Sequence, residues 1–124
     1  MSLLSRLGAL LGGGAGSHRA DPERARELLA AGAVLVDVRS QEEFAAGHAP
    51  RARNVPLDQL ATRAGEITAG KHVVTICRSG GRSARAATRL RAGGREVTDV
   101  RGGMLAWQRA GLPIEGRRGP GQVV

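Results

Sequence analysis

His72-Val73-Val74-Thr75-Ile76-Cys77-Arg78-Ser79-Gly80-Gly81-Arg82-Ser83-Ala84 decides how this chain folds. Residues 72–76 are β-branched and mostly apolar, the composition of a buried strand. From about Ala84, the residues Ala84, Ala87, Leu90 and Arg91 recur at helical spacing, and Gly93-Gly94 stops the run. The one cysteine of the protein therefore falls in a tight loop between the carboxyl end of a strand and the start of a helix. Open α/β sheets bind their ligands at that place. The unpaired N–H groups and the dipole of a helix start favour an anion there.

Every residue type in the loop has a physical use. A helix N-terminus and neighbouring arginines favour the thiolate of Cys77, the nucleophilic form of cysteine. Gly80 and Gly81 let the backbone curl with its N–H groups inward as an anion nest. Arg78 and Arg82 add fixed charge, and a guanidinium grips an oxyanion through two parallel hydrogen bonds. Ser83 is expected to cap the helix that follows.

The rest of the chain extends this pattern in both directions. Asp21-Pro22 opens a helix with Ala25, Leu28 and Leu29 on its apolar face, closed by Gly32. Ala33 to Val38 forms a nearly continuous apolar strand, as a parallel sheet requires. Ser40 and Glu43 make a capping box for a short helix ending at Ala46. Leu57, Leu60, Ala61, Ala64 and Ile67 mark a further helix before Gly70, and Glu96 to Val100 a further strand. A last helix carries Met104, Leu105 and Trp107. Strands alternating with helices predict an α/β domain: a small parallel sheet with helices on both faces.

This domain is expected over residues 21–115, with residues 1–20 as a flexible leader and 116–124 as a disordered tail. The leader places Leu3, Leu4, Leu7, Leu10 and Leu11 at helical spacing before Gly12-Gly13-Gly14. It reads as a frayed segment in preference to an amphipathic helix resting on a membrane, and it is too short in hydrophobic run for a signal peptide.

Composition narrows the function classes. The 124 residues carry a net charge of +8, with 41% hydrophobic and 2% aromatic residues. Lys71 is the only lysine, and the abundance of Arg, Ala and Gly reads as the drift of a GC-rich bacterial genome. Nothing interleaves aromatics with basic residues as single-stranded nucleic acid would want, so no nucleic-acid partner is expected. A single cysteine excludes an internal disulfide, and no Cys/His cluster suggests a metal or another cofactor. Thiolate chemistry in a reducing, cytoplasmic compartment fits best.

Five ordered motifs resemble the rhodanese family in its single-domain form. They are Leu35-Val36-Asp37-Val38-Arg39; Glu42-Glu43-Phe44 with Gly47-His48; Asn54-Val55-Pro56-Leu57; Cys77 to Ser83; and Gly102-Gly103-Met104 with Trp107. The resemblance implies a loop cysteine that carries sulfane sulfur as a persulfide. By that reading Cys77 attacks a small anionic donor such as thiosulfate, and a thiol or cyanide accepts the sulfur. Arg78, Ser79, Gly80, Gly81, Arg82 and Ser83 would bind the anion, and Asp37 and Arg39 would support the loop.

A plainer role for Arg39 is an ion pair with Glu43, four residues on. His48 reads as structural or solvent-facing, and Trp107 as core. The chain departs from the family in Ala49-Pro50-Arg51, where a bulky aliphatic and then Pro-Gly are usual, and in Arg53, where a hydrophobic residue is more common. Both changes are expected to make the rim of the site more basic. Two other readings stand beside the enzyme: a non-enzymatic binding or regulatory module, and a cysteine phosphatase or arsenate reductase. The latter resemble Cys-x5-Arg, whereas here four residues separate Cys77 from Arg82.

Overall fold

The computed structural model describes residues 18–124. Within them the elements run β1 (Arg19–Ala20), α1 (Pro22–Ala30), β2 (Val34–Asp37), α2 (Gln41–Ala46), β3 (Arg53–Asn54), α3 (Leu60–Arg63, flanked by 3-10 turns), β4 (Val73–Ile76), α4 (Gly81–Ala92), β5 (Val97–Val100), α5 (Gly103–Arg109), β6 (Glu115–Gly116) and β7 (Gly119–Pro120). The first five strands form one sheet in the order β1-β5-β4-β2-β3. All of its pairings are parallel.

Side chains alternate across the sheet as a two-residue period demands. Val36, Val73 and Val97 pack under Ala86, Ala87 and Leu90 of α4 and Leu60 of α3. Leu35, Val74, Ile76 and Val100 pack on the other face against Ala25 of α1 and Met104 and Trp107 of α5. Both faces of β4 are thus covered, which is why its four residues are all buried. Each aliphatic side chain so buried contributes about 1.5–3 kcal/mol.

The expected architecture is the observed one, with local differences. Arg19 and Ala20, assigned to the leader, form an edge strand paired with Asp99 and Val100. Two residues have no periodicity to read, and register with β5 alone defines them. The proposed leader helix and its membrane contact fall in residues 1–17, outside the described residues. Among the described residues no helix is long and apolar enough to cross a membrane. The single helix expected from Leu57 is broken into 3-10, α and 3-10 turns.

The tail expected to be disordered is instead ordered: β6 and β7 pair antiparallel. Gln122 N–H donates to the Ala46 carbonyl at 2.9 Å, and the backbone of Gln122 lies hard against Gly47. Its polar, Gly-rich composition hid an attachment made by main-chain atoms, which composition does not encode.

β2 leads outward to β3, whereas β4 leads the opposite way to β5. The chain parts between the carboxyl ends of β2 and β4, where such sheets open a crevice. Cys77 follows Ile76 at that point.

Candidate active site

Cys77 is buried, and the Gly80 N–H donates to its Sγ at 3.1 Å. The short approach exists because Gly80 adopts φ +117, a left-handed conformation open to glycine at little cost. Gly80 is also the residue from which α4 starts. The helix therefore begins at Gly81, three residues before the expected Ala84, and Ser83 is not its cap. Ser83 lies buried in the first turn, with its hydroxyl donating to the Gly80 carbonyl at 3.4 Å. The N–H groups of Gly81, Arg82 and Ser83 have no intrahelical acceptor, so the positive end of α4 is presented to the loop.

A second helix start holds the loop from behind. Met104 N–H donates to the Cys77 carbonyl at 2.8 Å, and Leu105 N–H to the Arg78 carbonyl at 3.1 Å. The loop carbonyls are thereby turned onto α5, away from the sulfur. Gly103 makes this possible. A Cβ there would run into the Cys77 carbonyl oxygen and come within 2.6 Å of the Arg78 carbonyl oxygen.

Beneath the loop lies a buried polar network. The Thr75 hydroxyl sits 3.2 Å from the Ser83 carbonyl and 3.4 Å from Asp99 Oδ1. Arg19 Nε and Nη2 donate to Asp99 Oδ2 at 3.2 and 3.1 Å, and Nη2 also reaches the Gly80 carbonyl at 3.4 Å. Burial pushes the Asp99 carboxyl up, against the pull of the neighbouring Ser83 and Arg19 side chains. Strand β1 thus contributes a guanidinium that ties β5 to the residue starting α4.

The arginines are not arranged as their positions in the sequence imply. Arg82 Nη1 and Nη2 donate to the two oxygens of Glu43 at 2.6 and 3.0 Å. These hydrogen bonds, opposed by burial and helped by Ser40 N–H, hold the Glu43 carboxyl at about 2. The capping box of Ser40 and Glu43 is present as expected, so Glu43 serves two partners at once. Arg78 turns outward, its Nε donating to the Val124 carbonyl at 3.1 Å. The expected Arg39–Glu43 pair does not form, because both residues have nearer partners.

Arg39 grips Asp37 in a fully buried bidentate pair, with Nη2 to Oδ2 at 2.8 Å and Nε to Oδ1 at 3.0 Å. Its Nη2 also donates to the Gly47 carbonyl at 2.6 Å. Asp37 and Arg39 make no hydrogen bond to Cys77. They pin the carboxyl end of β2 to the start of the next connection, and Asn54 reinforces this by donating to the carbonyls of both. His48 stacks on Phe44 with ring centroids 3.8 Å apart, and its Nδ1 lies 2.7 Å from the Phe44 carbonyl. Trp107 is core, with its indole N–H donating to the Pro113 carbonyl at 2.8 Å.

Cys77, Gly80, Gly81, Arg82 and Ser83 therefore converge, while Arg78 and Ser79 are exposed on the outer side. Arg51 and Arg53, expected on the rim, instead line a cavity that Cys77 does not reach. Sequence reasoning missed Arg19, Thr75, Asp99 and the mechanical part played by Gly103. A threonine and an aspartate inside two otherwise apolar strands were the signal, since a buried polar group implies a partner.

The arrangement suits a covalent intermediate on sulfur. A buried cysteine lies at a helix start with the Gly80 N–H on its sulfur, and the Cys77 and Arg78 carbonyls bond to α5. Residues 21–110 match the Rhodanese-like domain family. A helix-turn-helix type transcriptional regulator from Mycobacterium tuberculosis is 45% identical over 100 residues, 78% of this chain and 43% of the regulator. The chain thus spans less than half the length of that relative. A sulfurtransferase from Allochromatium vinosum is 43% identical over 82 residues, 65% of this chain and 77% of that enzyme. A rhodanese-related protein from Thermoplasma volcanium superposes with a TM-score of 0.74 at 28% identity, covering 78% of this chain and 96% of that one. On residues, fold and relatives alike, the chain belongs to the rhodanese-like family.

Proposed function

We propose that the protein is a sulfurtransferase that carries sulfane sulfur on Cys77. The observation that carries the reading is the 3.1 Å contact from the Gly80 N–H to Cys77 Sγ at the start of α4. That geometry favours a sulfur anion and would favour equally the terminal sulfur of a persulfide. In the first step the Cys77 thiolate attacks the outer sulfur of thiosulfate. A bond forms between Sγ and the outer sulfur, the bond from the outer to the central sulfur breaks, and sulfite leaves with that electron pair. In the second step cyanide or a thiolate attacks the outer sulfur and releases the Cys77 thiolate. No net oxidation of the protein occurs, and no cofactor takes part.

The chain has one cysteine, so no internal thiol resolves the persulfide, and the acceptor comes from outside. A reducing compartment such as the cytoplasm supplies such thiols. Cys77 is too enclosed to meet a bulky donor directly, which favours small anions such as thiosulfate. The phosphatase reading is weaker because four residues, not five, separate Cys77 from Arg82, which makes a smaller loop. The binding-module reading predicts that Cys77 is dispensable.

The test is mass spectrometry of the protein after thiosulfate, followed by cyanide. The expected result is one added sulfur on Cys77, removed on cyanide addition, and no transfer by Cys77→Ala. An unmodified Cys77 together with full function of Cys77→Ala in its cellular context would favour the binding module.

A further inference from the structure

A cavity lies away from Cys77. It encloses about 540 Å³ beside the amino half of β2, and its wall includes Leu29, Ile67 and Trp107 together with Arg26, Arg51 and Arg53. The fold explains why it is there. β3 is two residues long and pairs with β2 only at Val36 and Asp37, so Val34 and Leu35 have no strand beside them on that edge. Val34 belongs to the core on one face of the sheet and Leu35 to the core on the other. The opening therefore follows the sheet edge and is lined by residues of both cores. Its volume is that of a small-molecule site.

Three arginines and no acidic side chain line this cavity. Arg53 makes only a 3.5 Å contact with Glu66, whose closer partner is Arg63 at 2.8 Å. Among the described residues, Arg26 and Arg51 make no ion pair or side-chain hydrogen bond. Arg51 is also the one described non-glycine residue with positive φ, at 65°. A side chain in that conformation costs about 1 kcal/mol or more relative to glycine. The chain thus places an arginine in the cavity lining on backbone that glycine would occupy without strain. Such strain is retained where the side chain has a use.

We propose that this cavity is a binding site for a small amphipathic anion, with its apolar body against Leu29, Ile67 and Trp107 and its carboxylate, phosphate or sulfonate at Arg26, Arg51 and Arg53. The charge complement sets the sign of the ligand, and the apolar wall sets its body. A bare inorganic anion lacks the second feature, and a neutral hydrocarbon lacks the first. The site is independent of Cys77, so it stands or falls apart from the sulfur-transfer reading.

The probe is 8-anilinonaphthalene-1-sulfonate, an aromatic body bearing one sulfonate. Trp107 is the only tryptophan and the protein has no tyrosine, so tryptophan-sensitised emission reports probe bound on the folded domain, and the arginine variants locate the site. The expected result is a single saturable site with energy transfer from Trp107 in the folded protein. Arg51→Gly and Arg26→Ala should each weaken binding about threefold, the order of an exposed charge contact, and the pair together about tenfold. Arg51→Gly should also raise the melting temperature, which rules out unfolding as the cause of lost binding. The uncharged analogue N-phenyl-1-naphthylamine should bind wild type and variants alike. Sulfur transfer by both variants should equal wild type. Absence of sensitised emission, unchanged sulfonate affinity in both arginine variants, or displacement of the probe by thiosulfate would each overturn the proposal.

Discussion

Glu43 and Arg82, 39 positions apart in sequence, meet through two nearly parallel hydrogen bonds of 2.6 and 3.0 Å beside the cysteine loop. The pair joins α2 to the first turn of α4. It also decides how much of the Arg82 charge an incoming anion feels, since a guanidinium already facing a carboxylate attracts a second anion weakly.

Glu43→Gln should therefore release Arg82 toward the donor. The expected outcome is a KM for thiosulfate about threefold lower, whereas Arg82→Ala raises it by a similar factor, both in the range of a partly exposed charge contact. Steady-state kinetics of the two variants and their combination would check this. The double variant should match Arg82→Ala, and identical KM values throughout would remove Arg82 from donor handling.

The same pair gives a stability signature in acid. The Glu43 carboxyl is held at about 2, below its ordinary value of 4.5, chiefly by hydrogen bonds from Arg82. A depressed carboxyl stabilises the fold above its unfolded value, and that stabilisation is lost as pH falls through the window from about 4.5 to about 2. Discounted for partial exposure, it amounts to about 1–2 kcal/mol. Urea melts of wild type and Glu43→Gln should differ at pH 6 and converge toward pH 2.5. A difference independent of pH would show that the pair contributes by packing alone.

Gly103→Ala tests the seating of α5 on the loop. Its φ of 57° and the carbonyls facing it leave no room for a methyl group. The expected cost is about 2–4 kcal/mol from strain and displaced hydrogen bonds. Sulfur transfer measured well below the melting temperature should fall as well, because the Cys77 and Arg78 carbonyls must shift. Full activity in a merely destabilised variant would mean that the loop holds its shape without α5.

The buried pair of Asp37 and Arg39 behaves as a unit. Removing one partner leaves an unpaired buried charge, so Arg39→Met or Asp37→Asn should each cost about 3–5 kcal/mol. The double replacement should cost clearly less than the sum. Denaturant unfolding of all four proteins gives the coupling, and strict additivity would argue that the two side chains act separately.

These contacts also mark what a one-dimensional reading reaches. The strand from Val73, the helix from Pro22 and the capping box of Ser40 and Glu43 are local patterns, each legible from residue types a few positions apart. The second partner of Glu43 is not, since it depends on how β2 and β4 lie side by side. Arg39 shows the opposite error: a helical spacing of four suggests Glu43, yet Asp37 two residues back is nearer because the strand ends between them. Ser83 looks like a cap by type, but glycine at positive φ starts α4 earlier. The edge pairing of β1 and the attachment of the final hairpin rest on main-chain atoms, which residue type leaves unmarked.

The grip of α5 on the carbonyls of Cys77 and Arg78 bears on the history open to this scaffold. An added residue between Gly81 and Arg82 would turn α4 by about 100° and drag those carbonyls off Met104 and Leu105. Room for a larger anion would therefore have to be made at two helices together, at the start of α4 and at Gly103 of α5.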